Sequence, residues 1–310
     1  MELAMFLEPQ AGGSYERLLE LALWSERKGL AAFARADHYL MGGTSAPTTD
    51  ALVSYGGLAR ETSTIELLTL VSPITFRNPA VMAKSATSLD EMSGGRFTLG
   101  VGTGWMESEH EAFGLELPSV KERFERLEES LAIISKVFAG GGKFDGEYYS
   151  LDIDAVYPEA SPDLGIVIGG SGMRKTPRLA GTYATEYNMF VTDQETLAER
   201  LEVMTAAAET AGRDPSDIRI SFAGPAFIYE DEAAHRDALT ARGEKRDLTA
   251  DEYAAFLDDR SVPHGTAESA GAAIERMASW GVHRYYVQDL RPLDEISLDE
   301  MEELYTALGA

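Results

Sequence analysis

Hydrophobic and polar positions along the chain switch repeatedly between two patterns. Leu3–Leu7 is a short continuous apolar run, the mark of a strand buried on both faces. From Ser14, apolar residues Leu18, Leu19, Leu21, Ala22 and Trp24 recur at helical spacing until Lys28-Gly29, which predicts an amphipathic helix. The same alternation predicts strands at Leu30–Arg35, Ile65–Val71 and Phe97–Val101. Between them it predicts a helix behind Asp50 running through Arg60, a Pro79–Met92 helix with proline at an early position, and a long Lys121–Phe138 helix.

The second half keeps the rhythm. Lys143–Leu151 reads as a short hairpin centred on Asp145-Gly146. Strands five to seven are expected at Gly165–Ile168, Tyr187–Val191 and Ile218–Phe222, with helices at Lys175–Gly181 and Glu195–Ala211. Thr266–Trp280 reads as the last long helix and Arg284–Gln288 as the eighth strand. Residues 230–262 are charged, helix-like and out of rhythm, an insertion after strand seven. Eight β/α units without sustained Gly/Ser linkers predict an α/β fold, a TIM (β/α)8 barrel with insertions forming one domain over residues 1–310. A doubly wound open sheet is the alternative.

Composition narrows the function classes. A barrel of roughly 250 residues plus insertions accounts for all 310 residues. The absence of cysteine excludes disulfides and thiolate chemistry and fits a reducing compartment. A net charge of -25 argues against nucleic-acid and anionic-membrane partners, because both need a basic face. The acid excess fits either a salt-adapted or high-GC host or a surface that repels or recruits a partner. The chain opens directly on a strand-like run, without a basic leader, and no apolar stretch reaches the roughly 20 residues of a membrane span. A cytoplasmic enzyme acting on a small molecule is the expectation.

Candidate chemistry collects at the C-terminal ends of the predicted strands, where barrel enzymes keep their ligands. Phe97–Val101 empties into Gly102-Thr103-Gly104-Trp105; Trp105 stands where a dinucleotide fingerprint needs its third glycine, and no Lys-Ser/Thr follows for a phosphate loop. These glycines are expected to let a flat ligand lie against backbone. Asp37-His38 sits just past strand two, and histidine suits proton transfer near neutral pH. Glu8, at the end of strand one, is a candidate acid/base partner or a plain solvated carboxylate. Gly169-Gly170-Ser171-Gly172, running into Met173-Arg174-Lys175, offers free N–H groups and adjacent cations to an anion, or serves as a tight strand–helix turn. Glu107, His110 and Glu111 share a helical face but lack a His-Glu-x-x-His pattern, so no metal is expected.

Arg77-Asn78-Pro79, Leu89-Asp90, Ser93-Gly94-Gly95-Arg96, Leu99 to Trp105, Lys121-Glu122-Arg123-Phe124, Phe144 to Tyr149 and Ile168 to Gly172 follow in the order of one family. Through them the chain resembles the bacterial luciferase-like superfamily, over residues 1–190 best, and within it the branch using the deazaflavin coenzyme F420. The resemblance implies a TIM-barrel enzyme, usually a homodimer, passing hydride between C5 of F420 and a small organic substrate. It places Asp37 against the deazaflavin, His38 near C5, and a non-prolyl cis peptide at Thr69–Leu70 behind the ring. Thr103 and Gly104 would line the coenzyme site, and Gly169, Gly170, Ser171, Gly172 and Arg174 its phosphate. FMN also carries a phosphate, so an FMN-dependent monooxygenase is the second reading and a noncatalytic flavin-binding barrel the third. Trp105 occupies the position of a glutamate in the sugar-phosphate branch, and Met41-Gly42-Gly43 stands where several F420 enzymes have tryptophan. Tyr39, Met41, Tyr253 and Phe256 point to an uncharged, partly apolar substrate.

Overall fold

Strands without a polar face must be covered on both sides, and a parallel barrel wrapped in helices does this. In the computed structural model, which describes residues 1–41 and 45–310, eight strands form such a barrel. They are β1 (Glu2–Leu7), β2 (Ala32–Arg35), β3 (Glu66–Thr69), β4 (Phe97–Gly102), β5 (Ile166–Gly169), β6 (Glu186–Phe190), β7 (Arg219–Gly224) and β8 (Arg284–Asp289). Each pairs in parallel with its neighbours in chain order. β8 returns to β1, with Glu2 opposite Arg284 and Leu7 opposite Asp289, so the sheet closes and the open doubly wound alternative falls.

Outside the barrel lie α1 (Tyr15–Lys28), α2 (Ala51–Glu61), α3 (Pro79–Ser93), α4 (Glu107–Phe113), α5 (Val120–Phe138), α6 (Lys175–Tyr183) and α7 (Gln194–Thr210). After β7 come α8 (Glu232–Glu244) and α9 (Ala250–Asp258), then α10 (Ala267–Ser279) and α11 (Leu298–Leu308). Helix starts follow the capping chemistry of the sequence: Ser14, Asp50 and Asn78 each accept a backbone N–H of the first turn. The helices α8 and α9 carry a small apolar cluster of their own, Leu239, Tyr253, Leu257 and Val262. Phe227–Ile228 pairs in parallel with His264–Gly265 at their base.

Three expectations need correction. Thr266–Trp280 is not the last helix, because α11 follows the final strand; its buried Met301, Tyr305 and Leu308 are spaced four and three apart between exposed acids. Tyr305 packs against Trp24 and donates its hydroxyl to the Ala4 carbonyl, tying α11 to α1 and β1. The hairpin pairs Gly142–Asp145 with Ser150–Ile153, its turn lying between Asp145 and Ser150. Strand three ends at Thr69, and the cis peptide lies between Leu70 and Val71, one residue beyond the expected bond.

A buried cation ties strands together at the opposite end of the barrel. Arg284 on β8, 2% exposed, bonds Glu2 of β1 and Glu66 of β3, each at 2.8 Å, and the Tyr286 hydroxyl at 2.9 Å. Glu186 of β6 lies 3.5 Å away. Carboxylates from three strands compensate a charge that burial alone would penalise.

Candidate active site at the barrel mouth

The C-terminal ends of β1 to β4 bring together most residues singled out from the sequence. His38 follows β2, and its Nδ1 lies 3.0 Å from Glu109 Oε1, on α4. Glu109 is fully buried; its other oxygen accepts the backbone N–H groups of Tyr39 and Leu40. Burial pulls the His38 pKa down, but the hydrogen bond and charge of Glu109 outweigh it and hold the pKa above the ordinary histidine value. Burial likewise opposes ionisation of Glu109, yet His38 and the backbone donors bring its pKa below the usual carboxylate range. The two shifts agree on an ion pair, with Nε2 of His38 left free of protein partners among the described residues. Trp105, 66% exposed, stands edge-on to the imidazole at 5.8 Å between ring centres.

Glu8 is nearly buried, so it is no solvated loop carboxylate. Gln288 of β8 donates to it at 2.6 Å and Gln10 donates to its other oxygen. Burial raises its pKa against these bonds and against the nearby charges of His38 and Arg35. A carboxyl that keeps its proton longer than usual faces a histidine that does the same.

Asp37 sits behind His38 in a buried network. Arg77 binds both of its oxygens, at 2.5 and 3.2 Å, and Ser72 donates to it at 2.6 Å. Arg77 also reaches Asp50 and the Tyr39 hydroxyl; burial lowers its pKa, but the charge and hydrogen bonds of Asp37, with the charge of Asp50, raise it overall. With its oxygens so occupied, Asp37 fixes the loop that presents His38. Arg35, wholly buried on β2, reinforces the loop with bonds to Thr49, Ser54 and the Ala36 carbonyl.

The strand-four glycines serve the chain's own backbone rather than a flat ligand. A Cβ on Gly100 would sit 1.8 Å from the Thr69 carbonyl oxygen, and Cβ atoms on Gly102 and Gly169 would lie 2.8 and 2.9 Å from Val71 side-chain atoms. The bend after β3 thus fills the space three side chains would take. Thr69 is buried in that wall, its hydroxyl donating to the Gly100 carbonyl and accepting from the Gly100 N–H. Leu70 is buried at the bend; Thr103 and Gly104 are half-buried at the rim. His110 bonds Thr75 at 2.7 Å and the Met106 carbonyl at 2.7 Å, whereas Glu107 and Glu111 are exposed, so the three do not converge. Met41 is described, but Gly42 and Gly43 lie outside the described residues.

Across the mouth, the ends of β5 to β8 and helices α8, α9 and α11 enclose a cavity of about 2260 Å³. It does not include His38, but it takes in Gln288, the partner of Glu8. Its wall carries Arg242 stacked over Phe227 and Arg260 over Phe256, at 4.1 and 3.8 Å from the ring centres. Arg246 also faces Phe256, at 5.4 Å. Among the described residues none of these three has a carboxylate within ion-pair distance. The Gly169–Gly172 turn borders this side. Gly170 and Gly172 fold over Thr176, and α6 begins at N-cap Arg174 without a side-chain cap, leaving its first N–H groups available to an anion. Ser171 and Arg174 are exposed there.

The family model described as luciferase-like monooxygenase matches residues 1–296. The chain belongs to the luciferase-like monooxygenase family. Within curated members of this luciferase-like family, an F420-dependent glucose-6-phosphate dehydrogenase of Microbacterium testaceum is 35% identical over 208 residues, covering 65% of this chain and 61% of the relative. The chain thus spans only about three-fifths of that relative's length. Two solved structures match at a TM-score of 0.80. One is an F420-dependent secondary alcohol dehydrogenase in complex with an F420-acetone adduct, 20% identical, covering 100% of this chain and 99% of its own. The other is a monooxygenase of Streptomyces bottropensis, 19% identical, covering 99% and 97%. These likenesses place the chain's fold among the luciferase-like barrels and leave the coenzyme open. No helix of the described residues is long and apolar enough to cross a membrane.

Sequence reasoning missed Glu109, and treated Trp105 only as a departure. The separation of Glu109 from His38 by 71 positions hides their pairing. The tryptophan edge-on to His38 comes from the turn after β4.

Proposed function

We propose that this protein is an F420-dependent oxidoreductase that moves hydride between C5 of the deazaflavin and a small organic substrate. The observation that carries the reading is the buried Glu109–His38 ion pair at the barrel mouth, with Nε2 of His38 free of partners among the described residues and Trp105 at its edge. The curated relatives named for F420 support the same reading. The chain's groups fit the coenzyme: the uncapped start of α6 suits its phosphate, and the Leu70–Val71 bend offers a backbone wall for the ring. A bound deazaflavin supplies hydride chemistry at C5. His38 holds a proton on Nε2, which it donates to or takes back from a substrate oxygen as that oxygen changes charge. Glu109 orients the imidazole and keeps it cationic, and Trp105 shields it from water on one side. Glu8, whose pKa burial raises, is the second acid/base candidate of the site.

The substrate enters through the cavity on the β5–β8 side. Arg242, Arg246 and Arg260 offer a local seat for an anionic group of the substrate beside the aromatic rings, in a cavity that Glu230, Asp259 and Glu268 also line. We place the enzyme in the cytoplasm as a homodimer; the exposed Val53 and Val81 on the packed pair α2 and α3 suit a partner copy.

An FMN-dependent monooxygenase is the second reading, favoured by the equal structural match to a monooxygenase. Titration with F420 and with FMN, in low and high salt, separates the two. Micromolar F420 binding with much weaker FMN binding supports the deazaflavin reading. A preference for FMN overturns it, and binding of neither leaves a noncatalytic barrel.

A further inference from the structure

Two arginines are wholly or almost wholly buried in the helix layer around the mouth, and they are used differently. Arg35 donates to four oxygens on the chain itself, and its charge serves the loop behind His38. Arg200, on α7 and 7% exposed, makes two bonds: Nη2 to the Ser171 carbonyl at 2.9 Å, and Nε to the Met173 sulfur at 3.4 Å. No carboxylate lies within ion-pair distance of it among the described residues. Its charge acts on Tyr187, whose buried hydroxyl has no hydrogen-bond partner among the described residues. A buried guanidinium without a counter-charge is costly unless an anion completes it. Arg200 lines the cavity together with Ser171, at the turn that leads into α6.

The turn itself is built to present N–H groups. Arg200 bonds the Ser171 carbonyl three residues before Arg174, the N-cap of α6, which has no side-chain cap. A carbonyl bonded to a cation also makes the next N–H a stronger donor, because the peptide unit is polarised as a whole. The positive end of α6 adds to the field in the same place. Arg174 and Lys175 at this turn are exposed to salt and water; Arg200 is not, so its charge is screened far less.

We propose that Arg200 is the positioning residue and buried counter-charge of the coenzyme-phosphate site, so that this chain discriminates phosphorylated from unphosphorylated (deaza)flavins through α7. The proposal rests on the coenzyme reading above for the identity of the ligand. It concerns a residue on a different helix from the Gly169–Gly172 motif, reached through the Ser171 carbonyl.

The test compares affinities for F420 and for its phosphate-free deazaflavin core, and in parallel for FMN and riboflavin, in wild type, Arg200→Met and Arg200→Lys. Methionine fits the Met173 and Tyr187 surroundings, and circular dichroism checks the fold of each variant. Arg200→Met should lose at least tenfold in affinity for the phosphorylated member of the binding pair and keep its affinity for the other. Arg200→Lys should recover part of the loss, and the remaining preference should become more salt-sensitive as exposed Arg174 and Lys175 carry it alone. Equal loss for both members shows a merely structural role and overturns the proposal; unchanged affinity for both also does. If wild type ignores F420 but prefers FMN to riboflavin, the deazaflavin reading fails while Arg200 is still decided by the FMN pair. A wild type with no preference for phosphate in either pair removes the site altogether.

Discussion

The two halves of the barrel mouth solve opposite problems. On the β1–β4 side the functional polar groups are clamped within the protein: Asp37 by Arg77 and Ser72, Glu109 by His38 and two backbone N–H groups, Glu8 by two glutamines. On the β5–β8 side the cations Arg242, Arg246 and Arg260 rest on aromatic faces and, among the described residues, have no carboxylate within ion-pair distance, around an open cavity. A clamped side is pre-organised, so its geometry costs little to assemble when ligands arrive. Aromatic-stacked arginines keep their N–H edges available and adapt to what enters. On the proposed reading, chemistry and selectivity would be supported by separate helices, α4 behind His38 for one and α8–α9 for the other.

Breaking the clamped side should have the largest effect. His38→Ala is expected to lower kcat by about 10²–10⁴-fold, the usual range for one acid–base group, with coenzyme affinity within a few-fold of wild type. Unchanged turnover would take His38 out of the chemistry. Asp37→Ala removes one of the two carboxylates that hold Arg77, leaving Asp50, and should cost about 2 kcal/mol in urea unfolding. Arg242→Ala on the open side should stay within about 0.5 kcal/mol, because its cation has no partner to strand. If the two variants unfold at the same urea concentration, the contrast between the halves is wrong.

A subtler change sharpens the comparison through pH. His38 has a raised folded-state pKa, so its share of stability is whole below the ordinary histidine value of about 6.5 and is lost as pH rises through the folded one. Glu109 is depressed, so its share is present above the ordinary carboxylate value of about 4.3 and is lost as pH falls through the folded one. Their pair stabilises most between those limits. Glu109→Gln should therefore move the alkaline limb of kcat toward lower pH; a pH–rate profile with an unmoved limb would show that the pair does not tune the histidine. The smallest effect belongs to the open side: Arg246→Ala should raise KM for an anionic substrate by a few-fold in steady-state kinetics.

The strand–helix rhythm was legible because the barrel strands are short apolar runs and the helices carry their caps in sequence, as Ser14, Asp50 and Asn78 do. The chemistry was legible only where one segment held it. Asp37-His38 and Glu8 fall at the mouth because they end strands. The Glu109–His38 pair needs α4 folded back over the loop after β2, a contact with no local signature. The glycines of β4 misled for a related reason: a missing side chain leaves room, and only the fold shows that Thr69 and Val71 occupy it. α11 escaped because Met301, Tyr305 and Leu308 are set among acids that dilute the apolar period.

The closing of β8 onto β1 has a bearing on how the chain is made. Ribosomes deliver Glu2–Leu7 long before Arg284–Asp289, yet these two strands lie side by side, stitched by Arg284 to Glu2. Until the eighth strand emerges, β1 and β7 both present an unpaired backbone edge able to join another nascent chain. A premature stop anywhere before Arg284 would thus release a sheet with two adhesive margins, and synthesis speed through the last third governs how long that state persists.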